Sequence, residues 1–188
     1  MAAVLLGALA AAFIALRPDD DEDAGGSGVP VTASSQADVD LGALDDNPPV
    51  VGQPAPNFIL RSGDGGTVRL SDLRGKVVFV NFWATWCKPC KEELPDIDAL
   101  YDEKRDDGLE VIAVNVEEDL ATAERFFRQN EIDVPMALDT SGEVYRQYRL
   151  QGLPDSFFVD REGNLAAVHY GFMTDEKMRD RLETAGLP

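Results

Sequence analysis

From Val51 onward, apolar runs alternate with short polar breaks rich in turn residues. "NFIL" and "TVRL" flank "RSGDGG", whose glycines at turn positions predict a hairpin. Val77–Trp83, "VVFVNFW", is apolar at nearly every position, as in a central strand buried on both faces. A single polar residue, Asn81, interrupts it. Lys88 to about Arg105 predicts a helix, with Ile97, Leu100 and Tyr101 at helical spacing, and Leu109–Val116 a second buried strand. A helix follows near Leu120–Asn130 with Asp119 as its N-cap, then a strand at Met136–Leu138 and a helix at Glu143–Tyr148. Phe157–Val159 and Leu165–Tyr170 around "DREGN" predict a closing hairpin. Thr174 caps a last helix, whose first turn carries Asp175 and Glu176 where they suit the helix dipole. This order, without internal repeats, predicts an α/β domain with a mixed central sheet.

Upstream the texture differs. Met1–Leu16, "MAAVLLGALAAAFIAL", carries no charged side chain, and residues 1–17 are expected to act as a membrane anchor or signal segment. Without a basic n-region or a clear cleavage site, an uncleaved anchor is the preferred reading. Either role directs the chain out of the cytoplasm. Residues 18–49 are rich in Asp, Gly, Ser and Pro and predict a flexible, self-repelling linker to a domain spanning 50–188.

Composition narrows the function. The net charge is −18, and residues 19–47 contribute nine acidic side chains and no basic one. Such a surface repels a phosphate backbone and excludes nucleic acid as a partner, while favouring cationic proteins or serving only as a solvated face. A domain of about 140 residues buries about two-thirds of its unfolded surface and needs no disulfide staple. The two cysteines, in "NFWATWCKPCKEE", close too small a loop to staple a fold and point to reactivity.

Cys87 falls where a buried strand ends and a helix begins, a place where free N–H groups and the helix dipole stabilise a thiolate. Lys88 adds positive potential, and Pro89 fixes the backbone in a first turn that has no use for its missing N–H. Cys90 lies one turn later on the same face. The expected roles are unequal: Cys87 attacks a disulfide and Cys90 resolves the mixed disulfide. The alternative is a pair of inert core thiols. A structural zinc site needs four ligands, and two Cys with one His fall short unless carboxylates or a second chain complete the set.

"VVFVNFWATWCKPC" resembles the active-site strand and turn of the thioredoxin superfamily. "VGQPAPNFIL…GGTVRLSDLRGKVV" is similar to the membrane-tethered, extracytoplasmic thiol–disulfide oxidoreductases of the TlpA/ResA type, and "GLPDSFFVDREG" resembles their cis-proline segment. The resemblance runs from about Val50 to the C-terminus. It implies a thioredoxin-like three-layer fold with an N-terminal β-hairpin and a central helix–strand–helix insertion over Leu120–Tyr148. It implies that Leu153 and the cis-proline Pro154 face the cysteines and, with Trp86, Lys88 and Pro89, meet the substrate. It also places the kink-associated proline of the first helix at Pro95, where one ladder hydrogen bond is lost.

Asn81 departs from general thioredoxins, which place a buried Asp there, and Glu93 matches an acid that some tethered members keep near the thiols. A buried Glu93 would have a raised pKa and exchange protons with Cys90 or a leaving thiol; the alternative is a solvated helix residue like Glu92. Trp83 is expected in the core and Trp86 against partners. Asp155 departs from the hydroxyl residue common after the proline and resembles an acid of some cytochrome-c maturation members.

The activity implied is reduction of disulfides in extracytoplasmic clients such as apocytochrome c, with a membrane thiol protein as electron donor. No cofactor is expected beyond the redox-active Cys87–Cys90 disulfide. The rivals are a disulfide oxidase or isomerase, a copper-binding chaperone recruiting His169, a peroxiredoxin-like peroxidase and a redox-inert adaptor. His169, the only histidine, is otherwise expected to be structural or at the surface.

Overall fold

The computed structural model describes residues 47–188. The anchor or signal segment and nearly all of the acidic linker lie outside the described residues. Seven strands and four helices follow in the order β1 (Ile59–Ser62), β2 (Thr67–Arg69), β3 (Val77–Trp83), α1 (Lys88–Lys104), β4 (Leu109–Val116), α2 (Leu120–Asn130), β5 (Met136–Asp139), α3 (Glu143–Gln147), β6 (Asp155–Val159), β7 (Leu165–Tyr170) and α4 (Asp175–Thr184). Single 3-10 turns at Leu70–Leu73 and Arg105–Asp107 were not anticipated. Otherwise the predicted elements stand within one or two residues of their expected ends.

The strands form one sheet in the order β2-β1-β5-β4-β3-β6-β7. β3, β4 and β5 run parallel, and antiparallel pairs complete each side: β1 with β5 and β2, β6 with β3 and β7. Both neighbours of β3 are sheet, which explains why all seven of its residues are buried. Its side chains alternate between faces. Val77, Phe79 and Trp83 join the core under α1, α2 and α4, while Val78, Val80 and Phe82 join a second core against α3 and the N-terminal hairpin. Three layers result, as expected, and Asn81 falls on the α1 face.

Each core has an aromatic centre. Phe79 stacks on Phe158 at 4.5 Å between ring centroids, and Trp83 on Phe127 at 5.0 Å. On the opposite face Tyr148 meets Phe157 edge-on at 4.8 Å, and its hydroxyl donates to the Pro56 carbonyl at 2.6 Å. The hairpin β1–β2 forms one edge of the sheet and joins it where Arg61 and Ser62 of β1 pair with β5. α1 runs on through Pro95 with Cys90, Glu93, Leu94, Ile97 and Leu100 facing inward. α2 is capped by Asp119, which accepts from the Thr122 N–H at 2.7 Å, and α4 by Thr174. These caps and stripes hold β3 and α1 in the relation that builds the site.

Candidate functional site

β3 ends at Trp83, and a short turn through Ala84, Thr85 and Trp86 carries the chain into α1. Cys87 is the N-cap of that helix: its Sγ accepts from the Cys90 N–H at 3.2 Å, and its own N–H donates to the Ala84 carbonyl at 3.1 Å. Cys87 and Cys90 are joined as a disulfide, and both are buried. In the dithiol state the same Sγ, as a thiolate, sits where the helix dipole and an unpaired N–H stabilise negative charge. Pro89 occupies the first turn. Lys88 projects into solvent, its side chain 86% exposed and paired with Glu92 at 3.7 Å, so it contributes a weak, screened potential.

Glu93 lies one turn beyond Cys90 on the inward stripe of α1 and is fully buried. Its Oε1 accepts from Asn81 Nδ2 at 3.0 Å, and its Oε2 accepts from the Met173 N–H at 2.8 Å. Asn81 Nδ2 also donates to Ser156 Oγ at 3.1 Å, so one amide ties α1 to β3 and β6. Burial pushes the Glu93 carboxyl up to about 7; the Met173 and Asn81 donors hold it down in part, and the carboxyls of Asp96 and Asp155 add to the rise. Burial thus holds an acid toward neutrality one helical turn from the sulfur of Cys90.

The turn itself is anchored from β4. The Thr85 N–H donates to Glu118 Oε2 at 2.8 Å, the Thr85 hydroxyl to Glu118 Oε1, and Asn115 Nδ2 to Glu118 Oε2 at 2.7 Å. Held this way, the turn presents Trp86 with 69% of its surface exposed while Trp83 is buried. The Leu153–Pro154 peptide is cis. Pro154 directly precedes β6, where Asp155 stands in register with Phe82 of β3, so the proline lies at the sheet end that carries Cys87. Its carbonyl accepts from the Gly171 N–H at 2.8 Å, and Leu153 packs against both cores. His169 Nε2 lies 3.1 Å from the Phe172 carbonyl. Among the described residues no three His, Cys, Asp or Glu side chains are grouped as a metal ion requires.

A pair of cysteines at a strand-to-helix junction, on a mixed sheet with a cis-proline at the same end, defines the thioredoxin-like thiol–disulfide oxidoreductases. Comparison with known proteins narrows the class. The chain belongs to the AhpC/TSA family, whose model matches residues 51–168. It is 40% identical over 129 residues to the thiol-disulfide oxidoreductase ResA of Bacillus subtilis, covering 69% of this chain and 72% of that one. The ResA of Geobacillus kaustophilus is 40% identical over 134 residues, covering 71% and 77%. Among solved structures, a putative thiol:disulfide interchange protein DsbE from Chlorobium tepidum superposes with a TM-score of 0.69 at 33% identity, covering 73% of this chain and 98% of that one. StoA from Bacillus subtilis superposes with a TM-score of 0.60 at 28% identity, covering 69% and 97%. The expected fold and activity class therefore hold: the chain is a thiol–disulfide oxidoreductase.

Of the residues singled out in the sequence, Cys87, Pro89, Cys90 and Glu93 share the start of α1, Trp86 and Lys88 stand on its exposed rim, and Leu153 and Pro154 approach through β6. Ser156, Glu118 and Thr85 were not anticipated. Their one sequence signal is a polar residue inside or beside an apolar strand.

Proposed function

We propose that the chain is a dithiol reductase acting on protein disulfides outside the cytoplasm, and that residues 1–17 tether it while the acidic residues 18–49 act as spacer. The reduced Cys87 thiolate attacks one sulfur of a client disulfide, and the other client sulfur leaves and takes up a proton. Cys90, deprotonated, then attacks Cys87 Sγ and releases the second client thiol. The client gains two electrons and two protons, and this chain is left with the Cys87–Cys90 disulfide. A thiol protein in the membrane returns it to the dithiol state. Glu93 takes the proton from Cys90 or delivers one to the departing thiol, Pro154 and Leu153 present the client backbone, and Trp86, Lys88 and Pro89 form the contact rim. Apocytochrome c is the proposed client, on the family resemblance.

The observation that carries the mechanism is the buried Glu93, held by Asn81 and Met173 and titrating near 7, one turn from Cys90. The direct test is Cys90→Ser. The variant should accumulate client as a mixed disulfide through Cys87, resolved on a non-reducing gel and lost in the Cys87→Ser/Cys90→Ser double variant. No trapped client together with undiminished function in cells for Cys90→Ser would instead make the chain a redox-inert adaptor. The helix N-cap position of Cys87 favours its thiolate and thus a more oxidising couple, which gives the oxidase reading its one support. A measured midpoint near about −270 mV fits the reductase, and one at about −180 mV or above gives the oxidase.

A further inference from the structure

The carboxyl of Glu93 meets two donors of different kinds. Oε2 accepts from the Met173 backbone N–H at 2.8 Å, and a backbone N–H cannot become an acceptor. Oε1 accepts from Asn81 Nδ2 at 3.0 Å. A side-chain amide can present either its N–H groups or its carbonyl after a half-turn about its last bond. What faces Glu93 therefore depends on what fixes that amide. Ser156 does so. It stands directly opposite Asn81 in the β3–β6 pairing, is fully buried, and its Oγ accepts from Nδ2 at 3.1 Å. Nδ2 thus has one acceptor for each of its two hydrogens. A half-turn would put Oδ1 against Glu93 Oε1, an arrangement that only a protonated carboxyl can use.

We propose that Ser156 is a positioning residue of the reaction: by fixing the Asn81 amide it sets how tightly Glu93 holds a proton during thiol exchange. Without the hydroxyl, the amide as it now stands would leave a buried N–H without an acceptor. That cost falls on the state in which Glu93 is ionised. The turned amide leaves only one lone pair of a carbonyl oxygen unused, which costs less, and it accepts from the protonated carboxyl. The balance then moves toward the proton-bound form. Two other carboxyls act on Glu93, Asp96 on α1 and Asp155 on β6, and both favour that form. On β7, His169 stands in register with Ser156 and turns its Nε2 to the Phe172 carbonyl. Among the described residues none of these three hydrogen-bonds the Asn81 amide, so its orientation is left to Ser156 and Glu93.

This inference rests on the reading that Glu93 carries protons in thiol exchange, and its test lets the two fail separately. Carbon-13 NMR of the Glu93 carboxyl in the oxidised protein tests the positioning alone. Ser156→Ala should raise the titration midpoint by about one pH unit, a roughly tenfold gain in proton affinity. Ser156→Thr keeps the hydroxyl and should titrate like the unmodified protein. In an Asn81→Ala background, Ser156→Ala should add no further shift. An unmoved midpoint in Ser156→Ala, or a Ser156→Thr midpoint that moves as far, overturns the inference. A purely structural role would lower stability without moving the midpoint. The unmodified protein gives a check that needs no variant: both Asn81 Nδ2 protons should resist exchange with solvent and shift with the Glu93 titration. A freely exchanging Nδ2 proton overturns the inference as well. With the reduced protein and a synthetic peptide carrying one disulfide, the pH profile of reduction should move by the same amount in Ser156→Ala. A midpoint that moves while the rate profile stays in place keeps the positioning and overturns the proton role of Glu93.

Discussion

A carboxyl at position 93 sits among Cys90, Leu94, Ile97 and Leu100 on the inward stripe of α1, where its ionised form loses hydration. Burial is the dominant cause of its rise from 4.5 to about 7. Between those values the folded state keeps a proton that the unfolded state has released, so this group's contribution to stability falls as pH rises through that window. From about pH 5 to about pH 8 the oxidised protein should lose roughly 2–3 kcal/mol that Glu93→Gln does not lose, read by chemical denaturation at each pH. In the reduced protein the same substitution should shift the titration of both thiols. Thiol pKa values that stay where they were would remove Glu93 from the proton chemistry. The identity of this acid was legible only through the family resemblance, which places an acid near the thiols at Glu93 once Asn81 stands where a buried Asp is usual. Its holders were not: Asn81 and Met173 come from positions 12 and 80 residues away along the chain.

At the scale of elements, the active-site turn depends on a contact between the start of α1 and the end of β4. Glu118 takes both the N–H and hydroxyl of Thr85 together with Asn115 Nδ2, three donors on one carboxylate. Glu118→Ala removes the acceptor of all three donors. It should cost about 1–3 kcal/mol in denaturant unfolding of the oxidised protein. An unchanged midpoint would mean that the turn holds its shape without β4. Glu117, just before it, adopts a left-handed φ of 57°, and that turn follows directly on β4. Each element was visible in the periodicity and caps, because these are properties of neighbouring residues. The sheet order was not, since β5 reaches its place between β1 and β4 through hydrogen bonds that no local pattern encodes.

For the whole molecule the acidity of the surface is the governing property. Net charge steers encounter more than it sets affinity, and it is screened beyond about 8 Å at physiological salt. Reduction of a cationic disulfide peptide should therefore slow several-fold between low and high salt, and that of an anionic peptide should speed up. Identical salt dependence for both, in stopped-flow kinetics, would mean that the charge serves solubility alone. The sequence by itself determined the elements and the placing of the two cysteines at a strand-to-helix junction, because hydrophobic period, capping and cysteine spacing act within a few residues. It also carried the charge. Only the tertiary structure decided which carboxyls leave water and what holds them: Glu93 behind Asn81, Glu118 beneath Thr85, Asp155 against the Gly171 N–H. Desolvation and hydrogen-bond geometry depend on groups distant in the chain, and they exist only once the layers have closed around them.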